Sequence, residues 1–120
     1  MLDKAVAAVK ADQTVALAKF LKGEDGFLDR DLYPFCFRIA DGMTLATPKA
    51  VPAGTDIKTL KDGTGNVYGQ ELYAAAQKPE GQITEVSYMF VRPGADAKPI
   101  PKVSFVTKVG ELGCGVGYYK

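Results

Sequence analysis

The chain of 120 residues contains no histidine and no tryptophan, and its only cysteines are Cys36 and Cys114. The lack of histidine removes the commonest general base and the commonest metal ligand. It also excludes a Ser-His-Asp or Cys-His catalytic device within the chain. Two cysteines without histidine partners are too few for a zinc site. We therefore expect no catalytic residue, no metal and no cofactor.

Long apolar runs are also missing. No segment approaches the ~20 consecutive apolar residues that a membrane helix needs, and no apolar h-region follows Met1, as a signal peptide would require. An excess of charge of one sign is missing too, since 15 Lys and Arg stand against 14 Asp and Glu. We expect no nucleic-acid partner, which usually needs a basic face, and no electrostatic docking on a membrane.

The chain does contain enough hydrophobic sequence for one core. Hydrophobic residues make up 47% of its 120 residues, and this length fits a single domain over residues 1–120. Apolar positions with amphipathic spacing run from about Asp3 to Leu21, and Gly23 is a suitable stop. The pattern predicts one long N-terminal helix within residues 1–22, with a sheet and its crossover over residues 33–120.

Two strands are predicted after the helix. Tyr33, Phe35, Phe37 and Ile39 alternate with less apolar residues, which is the period of a strand. Asp41-Gly42 is typical of a tight hairpin turn, and residues 43–46 form the returning strand.

The second half predicts a helical crossover followed by three strands. A short helical turn within Asp56–Asp62 and a helix over Asn66–Gln77 precede apolar, β-rich runs at Gln82–Arg92, Lys102–Lys108 and Gly113–Tyr119. Helices beside a meander of this kind indicate an α+β fold with a five-stranded antiparallel sheet.

The chain resembles the Cache domain, an extracytoplasmic small-molecule sensor with a PAS-like sheet, over nearly its whole length. The segments that carry the resemblance are Ala18–Phe20, Gly26–Tyr33, Phe35–Pro48, Leu60–Asp62 and Lys102–Thr107. The resemblance implies a PAS-like, profilin-like five-stranded antiparallel sheet in the order 2-1-5-4-3, with a long N-terminal helix and a helical crossover. It also implies a cavity between sheet and crossover that holds small organic acids or related metabolites.

The resemblance further implies a role in chemoreception or signal transduction. Such domains usually sit in chemoreceptors or sensor kinases between two membrane helices, so we expect a periplasmic or extracytoplasmic location and a membrane-bound signalling partner. The leader or anchor would lie outside this chain. Where many members carry a tryptophan near the end of the third strand, this chain has Phe90.

Lys102 and Ser104 are candidate ligand contacts because they lie two apart on one predicted strand and share a face. If that face borders the cavity, the lysine supplies a cation and the serine a hydroxyl for a carboxylate. Tyr88 and Phe90 share a face of their own strand and would form an aromatic wall, with Arg92 at its end. The alternative is an exposed lysine, a plain aromatic core and an exposed arginine.

Further aromatic candidates are Phe37 on the first strand and Tyr68 beside the crossover helix. Phe37 belongs to the stripe Tyr33, Phe35 and Phe37, of which we expect at least two members to be core. The hydroxyl of Tyr68 or Tyr73 is placed to reach a pocket beneath the helix, although surface tyrosine is the commoner outcome.

Cys36 and Cys114 fall on the first and fifth strands, which are neighbours in the strand order that the resemblance implies. A disulfide would fit an oxidising periplasm. A pair of buried free thiols remains the alternative.

Two other functions compete with a ligand sensor. A buried Lys102 with a lowered pKa would be the starting point for an enzyme or an accessory subunit. A ligand-free interaction module would form a homodimer through the N-terminal helix, whose Ala5, Ala8 and Ala11 allow a close approach of helices.

Overall fold

The computed structural model describes residues 2–24, 26–27, 32–46, 54–62, 64–90 and 99–119. Within them, five strands form one antiparallel sheet in the order β2-β1-β5-β4-β3. The strands are β1 (Pro34–Arg38), β2 (Thr44–Ala46), β3 (Thr84–Phe90), β4 (Ile100–Val109) and β5 (Leu112–Tyr119). The predicted fold class and strand order are confirmed.

The N-terminal region differs from the predicted single helix. It forms α1 (Leu2–Ala11) and α2 (Gln13–Lys22), separated at Asp12. Asp12 has an extended backbone, and its carboxylate accepts a hydrogen bond from the Val15 amide, as an N-cap residue does. The amphipathic pattern continues through Asp12, so periodicity alone predicted no break there.

The helices pack on one face of the sheet. Ala5 and Val9 of α1 and Ala16 and Phe20 of α2 are buried with Cys114 and its neighbours. Ala5 is fully buried and Ala8 packs against the same core. Two of the three alanines proposed for a helix-mediated dimer, Ala5 and Ala8, therefore pack within the chain, whereas Ala11 is exposed.

The other face of the sheet is covered by the crossover, which consists here of residues 54–62 and 64–77. A 3₁₀ helix over Ile57–Thr59 is followed by α3 (Tyr68–Ala75). Gly69 allows α3 to lie close to the 3₁₀ helix, because a Cβ at position 69 would collide with the Ile57 carbonyl group. The second core fills the space between crossover and sheet; its buried members are Phe35, Phe37, Ile57, Tyr68, Leu72, Ala75, Ala76, Val86, Tyr88 and Val106.

Glycines at alternate positions of β5 leave space for side chains on the face of the sheet that the crossover covers. Gly113, Gly115 and Gly117 face the crossover, since a Cβ at these positions would meet the side chains of Phe37, Phe35 and Lys102, respectively. The intervening residues of β5, including Leu112 and Cys114, face the helices. Bulky side chains from β1 and β4 thus lie flat over the middle strand of the sheet.

Cys36 on β1 and Cys114 on β5 stand directly opposite each other and form a disulfide in the structure. Their Cα atoms are 4.1 Å apart, and both residues are at most 1% exposed. The bridge joins two neighbouring strands of the sheet that are 78 residues apart in sequence.

Candidate functional site

A small cavity lies between the crossover and the sheet. Its volume is about 30 Å³, and a cavity needs roughly 10–15 Å³ to hold one water molecule. The cavity therefore suits a ligand of only a few heavy atoms. Its walls are mostly aromatic and aliphatic, with one lysine and one threonine among them, and are formed by Phe35, Cys36, Thr44, Ala46, Ile57, Leu60, Tyr68, Leu72, Tyr88, Phe90 and Lys102.

Lys102 is the charged side chain of this cavity. It is only 3% exposed, because β4 is an interior strand and position 102 faces the crossover side. The Nζ atom donates a hydrogen bond to the Tyr33 hydroxyl at 2.9 Å. Gly117 makes this placement feasible, since a Cβ there would lie 2.5 Å from the Lys102 Cε atom. The interpretation of Lys102 as an exposed strand-edge lysine is wrong.

Aromatic rings surround the Lys102 ammonium group. The distances from Nζ to the ring centroids are 4.6 Å for Tyr33, 4.8 Å for Phe90, 5.2 Å for Tyr119, 5.7 Å for Tyr88 and 5.9 Å for Phe35. Ring faces attract a cation at such distances, and the attraction grows when water is excluded. The rings therefore offset part of the cost of burying the charge.

The ammonium group nevertheless has no anionic partner among the residues that the structure describes. Among the described residues, ion pairs join Arg38 to Asp41 and Lys58 to Asp56, and none involves Lys102. Burial lowers the pKa of Lys102 to about 7, because removing water disfavours the charged form. The site thus presents a lysine that an entering anion would convert to its charged form.

Two tyrosines and a serine extend the polar part of the wall. The Tyr88 hydroxyl and the Ser104 Oγ are hydrogen-bonded at 2.7 Å. The Tyr68 ring stacks on Tyr88, with 4.2 Å between centroids. Burial raises the pKa of Tyr88, and burial together with the charge of Asp62 raises the pKa of Tyr68 to about 12. Both hydroxyl groups therefore keep their protons at neutral pH.

Thr44 contributes a hydroxyl from β2. The residue is 4% exposed and lines the cavity. Within the described part of the chain, its Oγ1 is the one buried side-chain polar atom without a hydrogen-bond partner.

The structure brings four of the six candidate residues to the cavity wall: Lys102, Tyr88, Phe90 and Tyr68. Ser104 is fully buried and reaches the site through Tyr88. Phe37 is fully buried in the adjoining core, where its ring lies 6.2 Å from that of Tyr73, and it does not line the cavity.

Two other side chains considered for the pocket, Tyr73 and Arg92, have different outcomes. The Tyr73 hydroxyl donates to the Ile39 carbonyl at 2.5 Å, so it serves the fold rather than the cavity. Arg92 lies outside the described residues.

Sequence reasoning missed Tyr33, Tyr119 and Thr44. Tyr33 belongs to the apolar stripe of which at least two members are expected to be core; it is buried, and its hydroxyl accepts a hydrogen bond from Lys102. Tyr119 lies on β5 directly opposite Lys102 in the strand register. That register comes from pairing distant strands, and no local pattern supplies it. For Thr44 the only signal was its alternation with Leu45 on a short strand.

The described residues hold no group of three or more Cys, Asp or Glu side chains that could bind a metal ion. None of their helices is both long and apolar enough to cross a membrane.

Comparison with solved structures supports the same fold. A methyl-accepting chemotaxis protein from Vibrio parahaemolyticus is 20% identical with a TM-score of 0.74, over 98% of this chain and 82% of that one. A Cache chemosensory domain, solved to explain carboxylic acid recognition, is 26% identical with a TM-score of 0.71, over 92% and 72%. The periplasmic sensor domain of a chemotaxis protein is 20% identical with a TM-score of 0.67, over 98% and 83%.

No curated protein sequence matches the chain. A family model does: the model of the Cache domain matches residues 2–119. The chain belongs to the Cache domain family.

Proposed function

We propose that this Cache domain is a ligand-binding sensor domain that takes a small carboxylate into the cavity between sheet and crossover. One observation carries the proposal: Lys102 is buried in that cavity and has no carboxylate partner among the described residues. Unpaired buried charges are costly, so proteins normally pair them. A carboxylate ligand would provide the missing partner.

The surrounding groups suit a small organic anion. The carboxylate would pair with the Lys102 ammonium group by a charge-assisted hydrogen bond, which is roughly twice as strong as a neutral one. Tyr68 and Phe90 would cover its apolar carbons. Binding would involve no covalent chemistry, which sets this proposal apart from a lysine-based enzyme.

Two further observations support the proposal, one for the ligand and one for a location outside the cytoplasm. The solved Cache domain with 26% identity is described as recognising carboxylic acids. The buried disulfide between Cys36 and Cys114 fits an oxidising compartment such as the periplasm. In this proposal α1, which packs on β4 and β5, would pass the ligand's effect to a membrane-bound signalling partner.

Calorimetric titration with acetate, propionate and pyruvate tests the proposal. Lys102→Met should abolish binding of each acid, while its melting temperature stays equal or rises because a buried amine is removed. Lys108→Met is the matched control, since Lys108 lies on the same strand and does not line the cavity. Thermal shift gives a second readout, because ligand at 100 times its Kd should stabilise the native protein by ~2.7 kcal/mol.

The proposal fails if no short carboxylate binds the native protein. It also fails at the level of Lys102 if the Lys102→Met protein binds the same acids with unchanged affinity.

A further inference from the structure

We propose that the Lys102 amine captures short, uncharged aldehydes in the cavity by forming a reversible imine with their carbonyl carbon. This inference goes beyond the proposed function and does not rest on it. A carboxylate would pair with the charged ammonium form without covalent chemistry, whereas an aldehyde would react with the neutral amine. The two classes of ligand would therefore use two protonation states of one side chain.

The surroundings of Lys102 favour a nucleophilic amine. The residue is 3% exposed and lines a cavity whose other walls are mostly aromatic and aliphatic. Removal of water lowers the pKa of Lys102 to about 7, so at pH 7 about half of the native molecules carry the neutral amine. Desolvation in a hydrophobic pocket is one of the ways in which proteins activate a lysine to form a Schiff base with a carbonyl compound.

Imine formation requires only the amine, the aldehyde and one proton. The Nζ lone pair forms a bond to the carbonyl carbon, and the π electrons of the C=O bond move to the oxygen. This oxygen takes one proton from the nitrogen and one from solvent, and it leaves as water while the C=N bond forms. The products are an iminium ion, which carries the positive charge, and one water molecule.

The site suits an iminium ion better than the ammonium ion that competes with it. An ammonium group has three N–H donors, and among the described residues Lys102 Nζ makes one hydrogen bond, to the Tyr33 hydroxyl at 2.9 Å. An iminium nitrogen has a single N–H, so this one acceptor satisfies it. Both ions are cations, and both are attracted by the ring faces of Tyr33 and Phe90, whose centroids lie 4.6 and 4.8 Å from Nζ.

The size of the cavity limits the aldehyde to a short one. The volume is about 30 Å³, which is space for roughly two water molecules. After water has left, the imine of acetaldehyde adds only two carbon atoms to Nζ. Phe90 and Tyr119 beside Nζ are only partly buried, so an uncharged aldehyde would enter past their rings. The apolar walls would then exclude the water that hydrolyses an imine.

Reductive trapping on the native protein tests the inference. The protein is mixed at pH 7 with a limiting amount of acetaldehyde and with cyanoborohydride, which reduces an imine to an ethylated amine. Peptide mass spectrometry then measures the label on each lysine. Lys102 should carry at least about tenfold more label than Lys108, which lies on the same strand and does not line the cavity.

Two controls connect the label to the folded cavity. The preference for Lys102 should vanish in urea, because all lysines of an unfolded chain are hydrated and have the ordinary pKa of about 10.4. It should also vanish when benzaldehyde replaces acetaldehyde, because a benzene ring is too large for a cavity of about 30 Å³.

Equal labelling of Lys102 and Lys108 in the native protein would overturn the inference, since the cavity would then not make the amine more reactive. A preference that persists in urea or with benzaldehyde would overturn it as well, because the folded cavity would not be its source. Calorimetry with carboxylates is a separate measurement, so the proposed function and this inference can fail independently.

Discussion

At the scale of single residues, Lys102 balances two opposing effects. Removal of water favours the neutral amine, whereas the faces of five nearby rings favour the ammonium ion. The resulting pKa of about 7 places the balance near neutral pH. An entering carboxylate would favour the charged form of Lys102, because an opposite charge within a few ångströms raises the pKa of a lysine.

Carboxylate affinity should consequently depend on pH. Only the charged form of Lys102 pairs with a carboxylate, and in the ligand-free protein this form is lost as the pH rises through about 7. Above that pH, each molecule of ligand bound must bring a proton with it, so the affinity should fall by up to about tenfold per pH unit. Calorimetric titration with propionate from pH 6 to 9 measures this. A constant affinity over the range would show that Lys102 stays charged without a ligand.

The stability of the ligand-free protein provides an independent check, because it should rise over the pH range in which carboxylate affinity falls. Lys102 has a pKa of about 7 in the fold against an ordinary value of 10.5, so between these values the unfolded chain binds the proton and the native protein does not. The free energy of unfolding should therefore rise from pH 7 to 9, by up to ~1.4 kcal/mol per unit from this group. Lys102→Met should lack this contribution.

Part of the site follows from sequence because strands alternate. The pairs Lys102 with Ser104 and Tyr88 with Phe90 share a face by period alone, and the structure places each pair on the crossover side. The burial of Lys102 does not follow from this pattern. It requires Gly117 on β5, which leaves space for the lysine side chain, and Tyr33, whose hydroxyl accepts from the ammonium group. Such contacts come from pairing segments that are distant in sequence, and a local pattern carries no information about them.

At the scale of elements, the crossover is fastened to the edge of the sheet by Asp62. One carboxylate oxygen accepts from the Thr64 amide and hydroxyl and from the Asn66 amide, at 2.9, 2.5 and 3.2 Å. The other accepts from the Met89 amide on β3 at 3.1 Å. These hydrogen bonds lower the pKa of Asp62, led by that from the Thr64 side chain. Met89 lies between Tyr88 and Phe90, so Asp62 ties the turn to the strand that forms the aromatic wall.

Asp62→Ala should therefore weaken ligand binding without a direct contact. Loss of this tie frees the turn that precedes Tyr68, and we expect the affinity for propionate to fall by about two- to thirtyfold, the range for coupled residues away from a ligand. Asp12→Ala is the control, because Asp12 caps α2 on the other face of the sheet. It should cost about 1 kcal/mol of stability, as lost N-caps do, and leave the affinity unchanged. Equal affinities in both variants would contradict the role of Asp62.

The boundaries of other elements differ in how well the local sequence predicts them. The turn at Asp41-Gly42 was predicted, and Gly42 has the positive φ of 79° that favours glycine. In contrast, β4 begins at Ile100 and includes Pro101, which a sequence pattern excludes from an interior strand. Pro101 pairs with Met89 on β3, whereas the pairing of β4 with β5 starts only at Lys102. Among the described residues, β4 has one strand partner at Pro101, and a residue without an amide hydrogen is tolerated where the second ladder is not required.

At the scale of the whole molecule, the order of the strands depends on contacts that no periodic pattern contains. Hydrophobic alternation predicts five strands, but the placement of β1 beside β5 came from the resemblance to Cache domains. The pairing has a covalent consequence, because it sets Cys36 opposite Cys114 with their Cα atoms 4.1 Å apart. The bridge closes a loop that contains both the crossover and the meander β3–β5 up to Cys114.

Breaking this bridge should destabilise the whole domain. For a loop of 78 residues, the chain-entropy model gives about 4–5 kcal/mol at most, through the greater freedom of the unfolded chain. The double variant Cys36→Ala with Cys114→Ala should have a urea midpoint that is lower by a corresponding amount. The unmutated protein should show the same decrease when it has been unfolded in the presence of reductant. Reductant should leave the midpoint of the double variant unchanged. Thiol titration of the denatured, unreduced protein checks the bridge directly, and two free thiols after air oxidation would exclude it.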